Sequence, residues 1–338
     1  MVLDNNWYDW ELPETDWLVD GLISSVGTAG FIGKPKSGKS SSARDLTVGV
    51  IKGTRFLDRA IHTKGAGRVL FIHLDRKDVP ARVGQEFKQM GITRPETERL
   101  VVRVAKHLPE AFPERLAWLQ EQIRTLKPHL TVIDLMMYFV VTKSANDYLA
   151  VVEGINKLLD ALTAIKYRGA LVVTQHSRKA DNPNDSFDNG LGSTAQRGSL
   201  ATNVMFERHR EQGLYTIESE QTVRDEKHGE IDKTIIERDA VGRMSLKGLY
   251  SDLKKAECQT RNENDISRVV DFISGRDGCT QLDITDGLAM SIKTLGPLLK
   301  RATANQLITV NGEGVKGDSL RYARYKMPTY KPEVTSVQ

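Results

Sequence analysis

Gly33-Lys34-Pro35-Lys36-Ser37-Gly38-Lys39-Ser40 spells the complete G-x-x-x-x-G-K-S spacing of a phosphate-binding loop. It follows the apolar run Ala29-Gly30-Phe31-Ile32 and precedes a helical pattern, the context such a loop requires. The glycines let backbone N–H groups turn inward around phosphates, Lys39 can reach the β- and γ-phosphates, and the Ser40 hydroxyl can hold Mg²⁺. A helix starting at the phosphates adds its dipole. These residues, with Ser41 next in the chain, form the expected nucleoside triphosphate site.

Cleaving such a nucleotide calls for a carboxylate that steers the metal at the end of a nearby strand. Leu130-Thr131-Val132-Ile133-Asp134 supplies one, which makes Asp134 the second expected metal residue. A further polar residue must orient the attacking water, and Asp75, closing the run Val69-Leu70-Phe71-Ile72-His73-Leu74, is the candidate base. Its alternative role is to turn the chain into the next helix, as Asp78 could equally do. Gln175 and His176 follow Leu171-Val172-Val173-Thr174 and arrive at the same carboxyl edge, where either could sense the γ-phosphate.

The elements that must hold these groups are legible in the periodicity. Short β-branched runs at 28–32, 68–74, 100–104, 130–134 and 170–174 read as buried strands, and helical patterns fill 40–51, 79–90, 113–126 and 147–165. Leu116, Leu119, Ile123 and Leu126 show the helical spacing. Strands alternating with helices imply an α/β domain with a mainly parallel sheet covered on both faces. Past residue 200 the runs 204–208, 215–219, 231–237 and 243–246 are separated by Gly213, Gly229 and Gly242, and read as an antiparallel extension of that sheet.

Residues 251–264 are polar and read as a linker between a first domain, 1–250, and a small second one, 265–328; the last residues, 329–338, read as a disordered tail. The second domain shows three amphipathic helices and a hairpin around Asn311-Gly312-Glu313-Gly314, the order of a winged helix. Lys300 and Arg301 on its third helix, with Arg321 and Arg324 in the hairpin, suit phosphate contacts. Docking of a protein is the alternative use of such a module.

Composition sets bounds on these readings. A chain of 338 residues has room for a full α/β domain and one small module. A net charge of +4 is too mild to establish nucleic-acid binding, so that expectation rests on local placement. The two cysteines, Cys258 and Cys279, lack metal-ligand spacing, and no apolar run approaches the ~18 residues that cross a bilayer; the expectation is a cytoplasmic protein.

The order Asp16-Trp17-Leu18-Val19-Asp20-Gly21-Leu22-Ile23, the phosphate loop, Arg55-Phe56-Leu57, and Gly67 through Asp75 resembles RecA-like ATPases of the RepA type, the hexameric replicative helicases of plasmids, phages and mobile elements. The resemblance continues through Val132-Ile133-Asp134, Ser144-Ala145-Asn146-Asp147, Gln175-His176-Ser177-Arg178-Lys179 and Gly192-Ser193, covering roughly residues 14–248. It implies ATP and Mg²⁺ as ligands of Lys39, Ser40 and Asp134, His176 as a γ-phosphate switch, and a homo-oligomeric, hexameric ring working with replication proteins. It further implies a basic residue donated in trans, for which Arg224 in Thr222-Val223-Arg224 is the candidate and Arg238 the fallback. The family usually carries Glu where this chain has Asp75.

In such rings the loops after the metal strand and the sensor strand face the central channel. The resemblance therefore implies single-stranded DNA contacts for Lys143 in the first loop and for Arg178, Lys179 and Arg197 in the second. Asp181, Asp185 and Asp188 oppose that role. The functional expectation is an ATP-hydrolysing, ring-forming DNA helicase or translocase. The alternative is an ATP-switched loading factor or recombination mediator that does not unwind DNA.

Overall fold

The computed structural model describes residues 15–75, 80–140, 148–177, 199–209, 211, 213–221, 230–276, 278–312, 314 and 319–324. The chain divides into two compact units, Met1–Tyr250 and Ser251–Gln338.

The first unit opens with a short hairpin, β1 (Trp17–Val19) and β2 (Ile23–Ser24), which carries Leu18, Val19, Leu22 and Ile23 into the core. Then follow β3 (Thr28–Gly33), α1 (Lys39–Lys52), a second small hairpin β4 (Arg55–Phe56) and β5 (Arg59–Ala60), β6 (Val69–His73) and α2 (Pro80–Gln89). Next come β7 (Leu100–Val104), α3 (Phe112–Leu126), β8 (Leu130–Asp134), the single turn α4 (Met136–Phe139), α5 (Tyr148–Ala164) and β9 (Ala170–His176). The strands β10 (Thr202–Arg208), β11 (Leu214–Gln221), β12 (Thr234–Arg238) and β13 (Met244–Leu249) complete it.

Nine strands form one sheet in the order β7-β6-β8-β9-β3-β10-β11-β12-β13. From β7 to β10 the pairing is parallel, and from β10 to β13 antiparallel. This is the α/β arrangement expected from the alternating runs, a mainly parallel sheet with an antiparallel extension, and the phosphate-loop strand β3 lies at its centre. Strand alternation explains why the central runs are apolar throughout. Phe31, Phe71, Val132 and Val172 point to the face covered by Leu46 and Val50 of α1 and Val83 and Phe87 of α2. Leu70, Ile72, Ile133, Leu171 and Val173 point to the other face, against Leu119 and Ile123 of α3 and Ile155 and Leu158 of α5. Each fully buried side chain of this size contributes about 1.5–3 kcal/mol, so the two faces fix the register that brings the strand ends together.

The second unit departs from expectation at its start. Residues 251–264, expected as an irregular polar linker, lie within one helix, α6 (Tyr250–Ser274), of which only the later half buries apolar residues, Ile266, Val269 and Ile273. The polar first half lacks an apolar stripe yet contains no Gly or Pro, so nothing interrupts helical hydrogen bonding there. After it come β14 (Cys279–Thr280), α7 (Gln281–Leu288), α8 (Ile292–Ala304), β15 (Ile308–Asn311) and β16 (Arg321–Arg324). The sheet order is β14-β16-β15, all antiparallel. A reciprocal cap starts α7: Thr280 N–H donates to Asp283 Oδ2 at 2.7 Å and Asp283 N–H to Thr280 Oγ1 at 3.3 Å. Ile284, Leu295, Leu298, Leu299, Ala302, Ile308 and Tyr322 join the α6 residues in a separate core.

Candidate nucleotide site

The loop between β3 and α1 is shaped by two glycines. A Cβ on Gly33 would lie 2.1 Å from the Phe206 carbonyl oxygen of the neighbouring strand β10, so no side chain fits there. Gly38 holds φ 97° with the Tyr215 ring 3.3 Å from where a Cβ would sit. Gly38 is also the N-cap of α1, which has no side-chain cap and no acidic residue in its first turn. The helix start therefore offers its orphan N–H groups and positive dipole end to an anion.

Lys39 is folded back into this loop. Its Nζ donates to the carbonyls of Gly33 at 2.8 Å and Lys34 at 2.7 Å, and to Ser37 Oγ at 3.3 Å. Burial lowers its pKa to about 8, with the Asp134 charge working in the opposite direction. The ammonium is thus held by two carbonyls and a hydroxyl of the loop itself, acceptors that phosphate oxygens could replace.

Asp134 ends β8 directly beneath the loop and is 1% exposed. Ser40 Oγ, 94 residues away in the chain, donates to its Oδ1 at 2.9 Å. Thr174 Oγ1 donates to the same oxygen at 2.5 Å, and His73 Nδ1 lies 3.3 Å from Oδ2. Burial pushes the Asp134 carboxyl up. The hydrogen bonds from His73 and Thr174, helped by the charges of His73 and Arg44, outweigh it and hold the carboxyl below its ordinary value.

His176 stands in register with Gly33 at the end of β9, and Ser177 N–H donates to the Gly33 carbonyl at 3.0 Å. Burial and the Lys39 charge lower the His176 pKa, against a hydrogen bond with Gly33 and the charges of Asp134 and Asp75. Its Nδ1 is buried with no hydrogen-bond partner among the described residues. Gln175 is buried one position earlier. Asp75 follows Leu74, whose N–H donates to the Asp134 carbonyl at 2.5 Å, so it leaves β6 beside Asp134 and is half-buried.

Lys39, Ser40, Asp134, Asp75 and His176 therefore converge on one sheet edge, as the spacing implied. Lys34, Pro35, Lys36 and Ser41 lie in or beside the loop, with Lys36 at φ 64°. Arg238 ends β12 and is exposed. Lys300 and Arg301 on α8 and Arg321 and Arg324 on β16 are exposed on the second unit. Arg224, Lys143, Arg178, Lys179, Arg197 and the 329–338 tail lie outside the described residues. Sequence reasoning missed His73 and Thr174. Each occupies a strand adjacent to β8 at the level of Asp134, a relation visible only once the strand order is known.

The donor set fits Mg²⁺, which prefers oxygen ligands and takes few protein groups beside substrate phosphates. Ser40 and Asp134 supply a hydroxyl and a carboxylate already within hydrogen-bond distance of each other. The turn from Gly33 to Gly38, with the uncapped N-terminus of α1 behind it, fits a phosphate chain.

Among solved structures, the chain is similar to a KaiC-like protein from the hyperthermophilic archaeon Pyrococcus horikoshii OT3, at 12% identity, with 70% of this chain and 96% of that one covered and a TM-score of 0.49. It is also similar to the RadB recombinase, at 14% identity, with 66% of this chain and 91% of that one covered and a TM-score of 0.45. No curated protein matches the sequence. The family described as AAA domain matches residues 1–182, which take in the phosphate loop, Asp75, Asp134 and His176, and the chain belongs to that family.

Proposed function

We propose that this chain is an ATP-hydrolysing, ring-forming DNA translocase or helicase of the RepA-like type, with residues 265–328 acting as a winged helix. The carrying observation is the Ser40–Asp134 contact, which joins the first residue after the loop lysine to the carboxylate on the metal strand. Mg²⁺ held there would neutralise charge on the phosphate oxygens. On nucleotide binding Lys39 exchanges the Gly33 and Lys34 carbonyls for phosphate oxygens, and Asp75 orients the attacking water. His176, in register with Gly33, senses the terminal phosphate. Arg224 from a neighbouring subunit is the trans-acting cation. Single-stranded DNA meets Lys143, Arg178, Lys179 and Arg197. The exposed Lys300, Arg301, Arg321 and Arg324 offer the second unit a phosphate-binding face.

The test is ATP turnover with and without single-stranded DNA, with Lys39→Ala as the blank. Strong DNA stimulation that K39A abolishes supports a motor. Asp75, one methylene shorter than glutamate, favours a second reading: an ATP-switched DNA-loading factor with slow hydrolysis, for which turnover is low and indifferent to DNA.

A further inference from the structure

His73 is one of the most enclosed polar residues near the site. It is 3% exposed, ends β6, and is the direct register partner of Asp134 in the parallel β6–β8 pair. The two carboxylate oxygens are divided between partners: Oδ1 accepts from Ser40 and Thr174, whereas the imidazole Nδ1 faces Oδ2 at 3.3 Å. Phe71, two residues earlier on the same face, stacks on the imidazole with ring centroids 6.5 Å apart and planes within 21°. The ring is thus held by packing on one side and aimed at Oδ2 on the other.

A carboxylate with two unequal sets of partners has a fixed rotamer. Ser40 is the partner expected to leave when a metal arrives, because its hydroxyl is itself a proposed ligand. Thr174 alone would leave the carboxylate free to turn about its terminal torsion, which is soft for an sp³–sp² bond. We propose that His73 is a positioning residue: it holds Oδ2 of Asp134, so that the carboxylate keeps one orientation toward the Mg²⁺–nucleotide complex after Ser40 is released. Outer partners of this kind set metal affinity without touching the metal. The inference rests on Asp134 steering Mg²⁺ as proposed above.

The test is isothermal calorimetry on the full-length protein: Mg²⁺ is titrated in the presence of a non-hydrolysable ATP analogue, and the analogue is titrated separately in EDTA. In His73→Leu the Mg²⁺ midpoint is expected to rise about tenfold or more, while affinity for the metal-free analogue changes less than about twofold. His73→Asn, whose amide nitrogen can replace Nδ1 as donor, restores the midpoint to within about threefold. Should H73L fail to fold, H73Q carries the test: its extra methylene displaces the amide from Oδ2, so it shifts the midpoint where H73N does not. An unchanged midpoint in a folded H73L or H73Q variant overturns the proposal. So do equal shifts in the Asn variant and its Leu or Gln counterpart, which mark a purely structural role. Failure of the underlying reading looks different: the unaltered protein, with or without Mg²⁺, then binds the analogue no better than Lys39→Ala.

Discussion

Arg243 donates through Nε to Oδ1 of Asp45, a carboxylate 1% exposed on the helix that begins at the phosphate loop. The Met244 N–H reaches Oδ2 of the same group at 3.2 Å, so the last strand of the sheet is tied to α1 by both side chain and backbone. The turn that delivers Arg243 is itself ordered, since Asp239 Oδ1 accepts from the N–H groups of Val241, Gly242 and Arg243. This link gives α1 an anchor on the side away from the sheet centre.

The anchor predicts a pH signature. Burial raises the Asp45 pKa from 3.8 to about 6, more than Arg243 and the Met244 hydrogen bond lower it. The folded state therefore binds a proton that the unfolded state has released, and this group's contribution to stability is complete below pH about 4 and lost as pH rises through about 6. Urea midpoints measured across that window should show Asp45→Asn removing a downward slope relative to the unaltered protein. Arg243→Met leaves the buried carboxylate without its cation and should cost about 3 kcal/mol at pH 7.5, and clearly less at pH 5, where Asp45 is protonated. Equal costs at the two pH values would remove the electrostatic explanation.

Asp75→Glu is expected to raise ATP turnover. The added methylene extends the carboxylate by about 1.5 Å, and a displacement of that order is worth up to about a hundredfold in rate. Asp75 is half-buried at the exit of β6. Steady-state kcat is the readout, with Asp75→Asn as the inactive reference. Turnover unchanged or lowered in D75E would show that the shorter carboxylate is already placed for its task.

How far the sequence led differs between parts of the molecule. The strands β3, β6, β8 and β9 were legible because residues buried on both faces must be continuously apolar, and Asp134 and His176 stood out as polar residues where those runs stop. The β1–β2 hairpin was not, because its pairing is only a few residues long and has no period to read. His73 was hidden for a different reason. Inside an apolar run it reads as one more buried strand residue, and only the β6–β8 register discloses that it faces a carboxylate. Asp45 and Arg243 are 198 residues apart, beyond any local pattern. The helix over 251–264 was missed because a polar surface helix carries no apolar stripe.

Two glycine substitutions should separate strain from obstruction. Gly38→Ala meets a φ of 97° and a side-chain neighbour, the Tyr215 ring at 3.3 Å, which can yield a little. The expected loss is about 1–2 kcal/mol of stability, with weakened nucleotide binding. Gly33→Ala drives its Cβ to 2.1 Å from a backbone carbonyl of β10, which can move only by parting the two strands. Thermal melts should rank G33A below G38A, and the reverse order would mean that the loop relaxes more easily than the sheet.

The second unit supplies the last prediction. Lys300 and Arg301 are exposed on α8, on the side opposite Leu295, Leu298, Leu299 and Ala302, which pack into the core. Arg321 and Arg324 are exposed on β16, whose intervening Tyr322 is buried. Neutralising such residues leaves that core intact, so any loss of DNA affinity reports contact rather than unfolding. If these cations meet phosphates, each substitution to alanine in the full chain should weaken duplex binding without regard to sequence and reduce the slope of log affinity against log salt by about 1. A four-fold alanine variant should then lose most of the salt dependence that the second unit contributes, while ATP turnover without DNA stays unchanged. Binding and slope that remain as in the unaltered protein would assign this surface to a protein partner instead, because a docked protein needs no such release of counterions.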